Sequence, residues 1–311
     1  MVQKADVIWF NGEMVPWDEC NVHVLTHSLH YGLGVFEGIR AYQLADGRSA
    51  IFRLRDHMER FVKGARMITL PLNYSVDQLC DAAIATVQRN KLRACYLRPI
   101  AFVGSGAMGV AAMENPTQVA IATWPWGAYL GDEGLTKGVR LRTSSFVRPH
   151  VNSQLHKGKV IGHYVNSILA KREALMDGYD EALLLDTEGY VSECSGENLF
   201  AVLSGTLFTP PFGGSILGGI TRDTLLTVAH EQGLEVREER MTRDVLYIAD
   251  EVFMCGTAAE VTPVREVDRR QIGAGEPGPV TLQLQQAYYD VVQGRDMRHD
   301  EWYSFYEVGD H

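Results

Sequence analysis

The segment from His156 to Ser167 holds the residues whose types and spacing point most directly to chemistry. The chain has seven lysines, and two of them, Lys157 and Lys159, stand in this segment. Lys159 precedes the apolar pair Val160-Ile161, so we expect its amine to be partly buried. Burial favours the neutral amine, which is the form that Schiff-base chemistry needs. A surface lysine whose charged end reaches water explains the same pattern, so the segment alone leaves both interpretations open.

A glycine pattern suggests a second kind of chemistry. Gly104, Gly106 and Gly109 have the G-x-G-x-x-G spacing of dinucleotide sites and follow a predicted strand. Such a site also needs a helix directly afterwards and an acidic residue about 20 positions further on. The segment from Val110 to Pro116 is too short for that helix and ends in proline. The sequence therefore disfavours a nicotinamide-dependent dehydrogenase.

Three histidines could suggest a metal site. His23, His27 and His30 have the spacing H-x₃-H-x₂-H, but the apolar residues around them alternate as in a strand that enters a turn. We find no Cys, Asp or Glu that completes a coordination set. Cys194, next to Glu193, likewise has no base that the sequence brings to it. We expect structural histidines, no bound metal and an inert thiol.

Apolar spacing predicts the elements that position these residues. Helices are predicted near residues 54–65, 76–87, 164–176, 221–232 and 280–293, and strands near 95–103, 118–124, 139–147, 181–185, 190–193 and 199–203. Gly178, Gly233 and Gly294 follow three of the helices, where a left-handed cap favours glycine. The elements lack a regular βαβ alternation, which favours an α+β architecture.

Composition limits the partners and the location. The net charge is −10 and the pI about 5.5, so a nucleic acid is an unfavourable partner. The first residues lack the apolar run of a signal peptide, and no segment has the roughly 20 apolar residues of a membrane helix. The five cysteines are scattered, which is typical of reduced thiols. We expect a soluble cytoplasmic enzyme.

Eight motifs lie between Tyr31 and Glu260, within a resemblance to a known family that extends from about Ile8 to the final helix. They are Tyr31–Tyr42, Arg55–Arg60, Tyr96–Arg98, Pro125–Tyr129, Lys159–Tyr164, Glu193–Phe200, Leu217–Arg222 and Glu251–Glu260. In content and order they resemble the motifs of branched-chain amino acid aminotransferases, which are pyridoxal-phosphate enzymes of fold type IV (class IV aminotransferases). The first resembles Y-G-x-x-x-F-E-G-I-R, and the fifth resembles the K-x-x-G-x-Y motif of the cofactor lysine.

The resemblance implies an architecture. It predicts a two-domain α+β fold, with a smaller N-terminal α/β sandwich and a larger C-terminal barrel-like domain. We place these domains at residues 1–126 and 137–311, joined by a loop at 127–136. The cofactor would bind between them. It also implies a homodimer or a higher homo-oligomer.

The resemblance implies a cofactor and its ligands. Pyridoxal 5'-phosphate would form a covalent imine with Lys159, the catalytic residue and proton carrier. Glu193 would pair with the pyridine nitrogen, and Tyr164 would hydrogen-bond the 3'-oxygen. The phosphate would be bound by Arg60, Ile220, Thr221 and Thr257, partly because a helix N-terminus favours an anion.

The resemblance also implies substrates. The reaction would be ping-pong transamination between branched-chain L-amino acids (Leu, Ile and Val) and 2-oxoglutarate. Arg98 and Arg40 would bind the distal carboxylate of glutamate or 2-oxoglutarate, because a guanidinium pairs with carboxylate through two hydrogen bonds. The other predicted substrate-binding residues are Tyr31, Phe36, Tyr96, Trp126, Tyr129, Thr257 and Ala258.

Two residues depart from the pattern of the family. Gly218 stands where the family usually has proline, and Lys157 is not a usual feature. If residues 157–159 form a strand, positions two apart face the same way and both amines would point at the cofactor. Within the fold, D-amino-acid aminotransferase, (R)-amine transaminase and aminodeoxychorismate lyase remain alternatives. The F-E-G-I-R segment and the pair Tyr96 and Arg98 favour the branched-chain prediction.

Overall fold

The computed structural model describes residues 2–127 and 131–309. These residues form two compact units. The first contains the residues up to Trp126, the segment Gly158–His163 and the residues from Val291 onward, and the second contains Gly127–Lys157 and Tyr164–Asp290. The first unit ends its long N-terminal part at Trp126, next to the predicted loop.

The elements of the described residues are as follows. The strands are β1 (Val7–Phe10), β2 (Glu13–Pro16), β3 (Gly34–Phe36), β4 (Ile39–Gln43), β5 (Ser49–Phe52), β6 (Cys95–Val103), β7 (Thr117–Trp124), β8 (Val139–Thr143), β9 (Glu181–Leu185), β10 (Val191–Cys194), β11 (Asn198–Leu203), β12 (Thr206–Thr209), β13 (Val236–Glu238), β14 (Glu251–Gly256), β15 (Glu260–Val267), β16 (Arg270–Gln271) and β17 (Tyr303–Tyr306). The helices are α1 (His27–Tyr31), α2 (Leu54–Met67), α3 (Val76–Arg89), α4 (Gly131–Lys137), α5 (Tyr164–Met176), α6 (Ile220–Glu231), α7 (Arg243–Ile248) and α8 (Pro279–Val292).

The first unit is built on an antiparallel sheet. Its strand order is β17-β5-β4-β6-β7-β1-β2, and β3 pairs with β6. Helices α2 and α3 bury their apolar faces, including Leu54, Met58 and Phe61, in one core with residues of the sheet. Ser75 and Gln78 cap the start of α3 reciprocally, since each side chain accepts a hydrogen bond from the backbone N–H of the other.

Two segments that we assigned to the second domain lie in the first unit. Strand β17 pairs with β5, with Tyr303 opposite Phe52. Val160 forms an antiparallel bridge with Val35, and the N–H of Phe36 donates to the Lys159 carbonyl at 3.0 Å. Backbone hydrogen bonds to the first sheet therefore correct the assignment of these segments, which local apolar spacing could not reveal. The domain boundaries at 127–136 stay a prediction.

The second unit is built on a mixed sheet. Its strand order is β10-β9-β8-β15-β14-β11-β12-β13, and β16 pairs with β15. The pairs β8–β9, β8–β15 and β12–β13 are parallel. Phe200 and Phe253, on neighbouring strands, stack at 4.9 Å and are fully buried. The fold is α+β with a curled half-barrel sheet, which confirms the predicted fold class.

Most predicted elements are confirmed to within one residue at each end, including α5 and α6. Strand β8 is shorter than predicted and ends at Thr143, because the backbone N–H of Ser145 donates to the Glu173 carboxylate at 2.8 Å and not to a neighbouring strand. Within the described residues, no helix has the length and apolarity needed to cross a bilayer.

Two local predictions were wrong. Residues 27–31 form the short helix α1, although the alternation around the histidines suggested a strand. Helix α4 occupies most of the predicted loop at 127–136, where Lys137 forms an ion pair with Glu133 one turn earlier. Both helices are short, so their few residues carry too little periodicity to be recognised.

Candidate active site

Lys159 lies on a segment that packs against β3 and α2. Its amine is 5.3 Å from the centroid of the Phe36 ring, and the residue is half-buried. Gly158 is buried, and a Cβ there would lie 3.5 Å from the Gly64 Cα of α2. This close approach brings the segment onto the helix. The Phe36 ring thus covers one side of the Lys159 amine.

Lys157 has a different environment, in the second unit. Its amine donates to the carbonyls of Gly214 and Ile216, both at 2.8 Å, and lies 4.5 Å from the Phe212 ring centroid. Burial lowers the pKa of Lys157, although nearby Glu193 opposes that shift. Residues 156–158 form a turn and a bend, so the expected strand, with both amines facing one way, is absent.

Arg60 is bound by an acidic residue that the sequence analysis missed. Its Nε and Nη2 donate to the two carboxylate oxygens of Glu37 at 2.7 and 2.8 Å, and the Nδ1 of His57 lies 2.8 Å from the same carboxylate. Glu37 and His57 are almost completely buried. An acid within the apolar run Val35–Ile39 was the available signal, because a charge seldom remains buried without a partner.

The charges of this cluster follow from burial and pairing. Burial would raise the pKa of Glu37, but Arg60 and the hydrogen bond with His57 outweigh it and hold that pKa well below its usual range. Burial lowers the pKa of His57, and the nearby Glu37 opposes the shift only in part. At neutral pH the cluster therefore contains an anionic Glu37, a cationic Arg60 and a neutral His57.

Arg98 lies among aromatic rings of the first unit. Its guanidinium carbon is 4.8 Å from the Phe36 ring centroid, and its Nη2 donates to the Tyr96 hydroxyl at 3.4 Å. Its Nε is buried and has no hydrogen-bond partner among the described residues. The rings of Tyr96 and Trp126 pack edge to face at 4.3 Å. Several predicted substrate-binding residues are thus brought together.

The other predicted substrate residues of the first unit are more scattered. Arg40 is half-buried and stands opposite Tyr96 where β4 pairs with β6. Tyr31 is 44% exposed at the end of α1, where its ring lies 4.5 Å from that of His27. Tyr129 lies outside the described residues.

Glu193 of β10 is held as a buried anion in the second unit. Arg148 donates to one carboxylate oxygen at 2.7 Å, and the side-chain amide of Asn198 and the N–H of Leu217 each donate to the other at 3.1 Å. Arg148 also donates to the Ser167 hydroxyl. Sequence analysis missed Arg148 and Asn198. A motif match identifies Glu193, but it cannot name a cation 45 positions away in the chain.

The segment before α6 is fixed by side chains. Lys157 bonds two of its carbonyls, and Asn198 donates to the carbonyl of Leu217 at 2.9 Å. A Cβ at Gly218 would lie 2.8 Å from the Phe212 ring, so the ring occupies the space next to this glycine. Gly219 begins the helix without a side-chain cap. The first N–H groups of α6 are therefore not used by a capping side chain.

The remaining predicted cofactor residues also belong to the second unit. Ile220 and Thr221 are buried at the first turn of α6. Tyr164 is the first residue of α5, and Thr257 and Ala258 lie in the turn that follows β14. The last three are half-buried.

The alternative motifs have structural explanations. Turns and bends connect Gly104 to Thr117, so the glycine pattern does not begin a helix. The Nε2 of His27 lies 2.8 Å from the Gly109 carbonyl, and that of His30 lies 2.9 Å from the Val24 carbonyl. Over residues 2–127 and 131–309, no cluster of three or more His, Cys, Asp or Glu residues is arranged to hold a metal ion.

Comparison with proteins of known sequence gives consistent matches. The family model "Amino-transferase class IV" matches residues 34–267. A branched-chain-amino-acid aminotransferase of Pseudomonas aeruginosa is 51% identical over 302 residues, which cover 97% of this chain and 98% of that protein. The protein of the same name from Escherichia coli K12 is 48% identical over 305 residues and 96% of each chain.

Solved structures agree with these matches. The crystal structure of the Escherichia coli branched-chain amino acid aminotransferase has a TM-score of 0.94 and 47% identity, and covers 98% of this chain and 100% of that one. A second crystal structure is that of the branched-chain amino acid aminotransferase from Thermobaculum terrenum in its PLP form. It has a TM-score of 0.91 and 38% identity, and covers 97% of this chain and 98% of that one. The chain therefore belongs to the class IV aminotransferase family.

Proposed function

We propose that this chain transfers amino groups between the branched-chain L-amino acids Leu, Ile and Val and 2-oxoglutarate, with pyridoxal 5'-phosphate as cofactor. One observation carries the proposal. About half of the residues are identical, over nearly the full length, to proteins named branched-chain-amino-acid aminotransferases. The donor and the acceptor would bind in turn to one site, as ping-pong kinetics require.

The donors in the two units fit the chemical groups of this cofactor. The aldehyde needs an amine, and Lys159 presents one beside the Phe36 ring. The pyridinium nitrogen needs a buried anion, and Glu193 is one. The phosphate needs cationic and N–H donors, which Arg60 and the start of α6, without a side-chain cap, would supply. Each demand has a matching group.

The cofactor supplies an aldehyde that condenses with amines and a ring that accepts the electron pair released at the substrate Cα. Lys159 would hold this aldehyde and would move the proton at the substrate Cα. The neutral form of the amine is the form able to accept that proton.

Glu193 would keep the ring nitrogen protonated. Arg148, Asn198 and Leu217 donate to this carboxylate, which favours its anionic form. An anion next to the ring nitrogen stabilises the positive charge there and makes the ring a stronger electron acceptor. Tyr164 would donate to the 3'-oxygen and orient the ring.

The phosphate would be bound by the start of α6 and by two further side chains. The N–H groups of Ile220 and Thr221 belong to the first turn, where the helix dipole favours an anion. Arg60 would add positive charge, and the hydroxyl of Thr257 would add a donor. None of these contacts depends on the bond to Lys159.

Substrates with different side chains would share one pocket. Phe36, Tyr31, Tyr129, Tyr164 and Trp126 would contact the branched side chains, and Tyr96 with the backbone at Thr257 and Ala258 would bind the α-carboxylate. Arg98 and Arg40 would bind the distal carboxylate of glutamate. The buried Nε of Arg98, which has no hydrogen-bond partner among the described residues, supports this role because a bound carboxylate would satisfy it.

A donor panel tests the proposal directly. Purified protein with pyridoxal 5'-phosphate should show a visible absorption band that borohydride bleaches. With 2-oxoglutarate as acceptor, it should convert L-Leu, L-Ile and L-Val at rates well above D-alanine or an (R)-amine. A preference for a D-amino acid or an amine would contradict the proposed substrates, and the absence of any band would contradict the cofactor.

We also propose a homodimer or a higher homo-oligomer. Apolar side chains of the segment before α1, of α1 itself and of the 104–116 loop are exposed, including Val24 at 70%, Leu29 at 64% and Val110 at 94%. His27 joins the two regions through Gly109. Exposed apolar patches of this kind favour association. Light scattering should give at least twice the chain mass, and Leu29→Lys should lower it.

A cytoplasmic location is the remaining proposal. All five cysteines are free thiols, and Cys95, Cys194 and Cys255 are buried. Reduced cysteines are typical of the cytosol. Fractionation of cells that express the tagged chain should recover the activity with the cytosolic proteins, and recovery with membranes or with a secreted fraction would contradict this.

A further inference from the structure

Glu37 is fixed by its surroundings in the first unit. It lies between β3 and β4, where its N–H donates to the Pro99 carbonyl at 2.8 Å. The next residue, Gly38, approaches the Tyr96 hydroxyl so closely that a Cβ would lie 1.9 Å from it. A larger residue at position 38 would therefore displace the Tyr96 side chain. The Glu37 carboxylate is 0% exposed and is directed at α2.

Two side chains of α2 reach this carboxylate. His57 and Arg60 are three positions apart and therefore lie on one face of the helix. Nε and Nη2 of Arg60 donate to the two oxygens, and His57 lies within hydrogen-bond distance of the oxygen that also accepts from Nη2. A guanidinium bonded through Nε and Nη2 directs Nη1 away from the carboxylate. The pair thus sets the direction of the outer edge of the guanidinium.

The charge balance explains why this arrangement is stable. A buried carboxylate without partners would be strongly unfavourable, and here it has a cation and an imidazole. Arg60 is less buried than Glu37, with 14% of its side chain exposed. One edge of the Arg60 guanidinium is thus hydrogen-bonded to the buried Glu37 carboxylate, which holds the guanidinium in one orientation.

We propose that Glu37 and His57 are positioning residues that fix Arg60 in the orientation in which it binds the phosphate of the cofactor. This inference rests on the proposed function, in which Arg60 binds that phosphate. Glu37 and His57 would not touch the cofactor phosphate themselves. Their effect would be specific to ligands that carry phosphate.

A comparison of two ligands tests the inference. Apoprotein is titrated with pyridoxal 5'-phosphate and with pyridoxal, which has the aldehyde and ring but no phosphate, and both dissociation constants are measured from the absorption band. Glu37→Gln keeps the shape but removes the charge. It should raise the dissociation constant of pyridoxal 5'-phosphate by about 10- to 100-fold and that of pyridoxal by less than about 3-fold.

A double-mutant cycle shows whether Glu37 acts through Arg60. Arg60→Gln alone should also reduce the preference for pyridoxal 5'-phosphate, and adding Glu37→Gln to it should cause little further loss. Fully additive losses, or equal weakening of both ligands by Glu37→Gln, would overturn the inference. If Arg60→Gln leaves the preference intact, the proposed phosphate role of Arg60 is wrong, which is a separate failure.

His57 supplies a second test that does not remove the charge of Glu37. In His57→Asn the amide can replace the Nδ1 donor, whereas His57→Leu has none. The first should keep most of the preference for the phosphate-bearing ligand, and the second should lose about 3- to 10-fold of it. If Glu37→Gln does not fold, this pair replaces it, and equal preferences in the two variants would refute the positioning role.

Discussion

Arg98 should distinguish the two kinds of substrate that share the proposed site. We expect replacement of Arg98 to impair the half-reaction with glutamate or 2-oxoglutarate and to spare that with leucine, because only the former substrates have a distal carboxylate. The guanidinium also packs at 4.8 Å from the Phe36 ring centroid, and that ring contacts the Lys159 amine. Arg98→Ala would therefore disturb Lys159, the proposed catalytic lysine, through Phe36.

Arg98→Met is the better perturbation, because it keeps an unbranched chain against Phe36 while it removes the charge and the hydrogen-bond donors of the guanidinium. A charge-assisted hydrogen bond contributes about 1.5–3 kcal/mol, which corresponds to about 10- to 150-fold in kcat/KM. The cation–π contact with Phe36, worth roughly 0.5–2 kcal/mol, affects both half-reactions alike. Its loss should therefore cancel in the ratio of the two.

Single-turnover spectroscopy measures the half-reactions separately. The protein is mixed with L-leucine or L-glutamate, and the loss of the visible band is followed at several concentrations. The ratio of kcat/KM for leucine to that for glutamate should rise by about 10- to 150-fold in Arg98→Met. Equal losses for both substrates would refute the reasoning and would assign Arg98 to the shared α-carboxylate or to packing.

Three further predictions follow from the charged groups of the structure. Borohydride reduction and peptide mapping should find the pyridoxyl group on Lys159. Lys159→Ala should lack the visible band, and its activity should fall by far more than the 10²- to 10⁴-fold typical of losing a general base. Lys157→Ala should keep the band. Arg148→Met should lower the free energy of unfolding of the apoprotein by about 3–5 kcal/mol in urea, because it leaves the buried Glu193 carboxylate without its cation. Burial lowers the pKa of His57 below 6.5, so the unfolded chain binds the proton more tightly than the folded chain does. The free energy of unfolding should therefore fall as the pH drops below about 6.5. His57→Asn should make that fall smaller.

Each of these predictions has a control. A pyridoxyl group on Lys157 would mean that the catalytic lysine is wrongly assigned. Lys63→Met, which removes an exposed ion pair with Glu59, should change the free energy of unfolding by less than about 1 kcal/mol. If Arg148→Met changes the free energy of unfolding as little as Lys63→Met does, the ion pair between Arg148 and Glu193 contributes little to stability. An unchanged pH profile in His57→Asn would assign the acid sensitivity to other groups.

The sequence determined the long helices and the order of the motifs. Leu54, Met58 and Phe61 recur at helical spacing, so α2 could be predicted from a local period, and Gly233 and Gly294 end α6 and α8 with the positive φ that favours glycine. Motif order pointed to the class IV family, which the comparisons show. Such features depend on neighbouring residues, which a sequence displays directly.

Only the tertiary structure decided which charged groups become partners. Glu37 is bonded to Arg60, 23 positions away, and Glu193 to Arg148, 45 positions away. Pairs at these separations depend on how strands and helices pack, and no local period records that. The two lysines also show that local sequence does not predict the partners of a charged group. Lys157 and Lys159 are two positions apart, yet a turn directs the Lys157 amine to the carbonyls before α6, while the backbone of Lys159 pairs with β3.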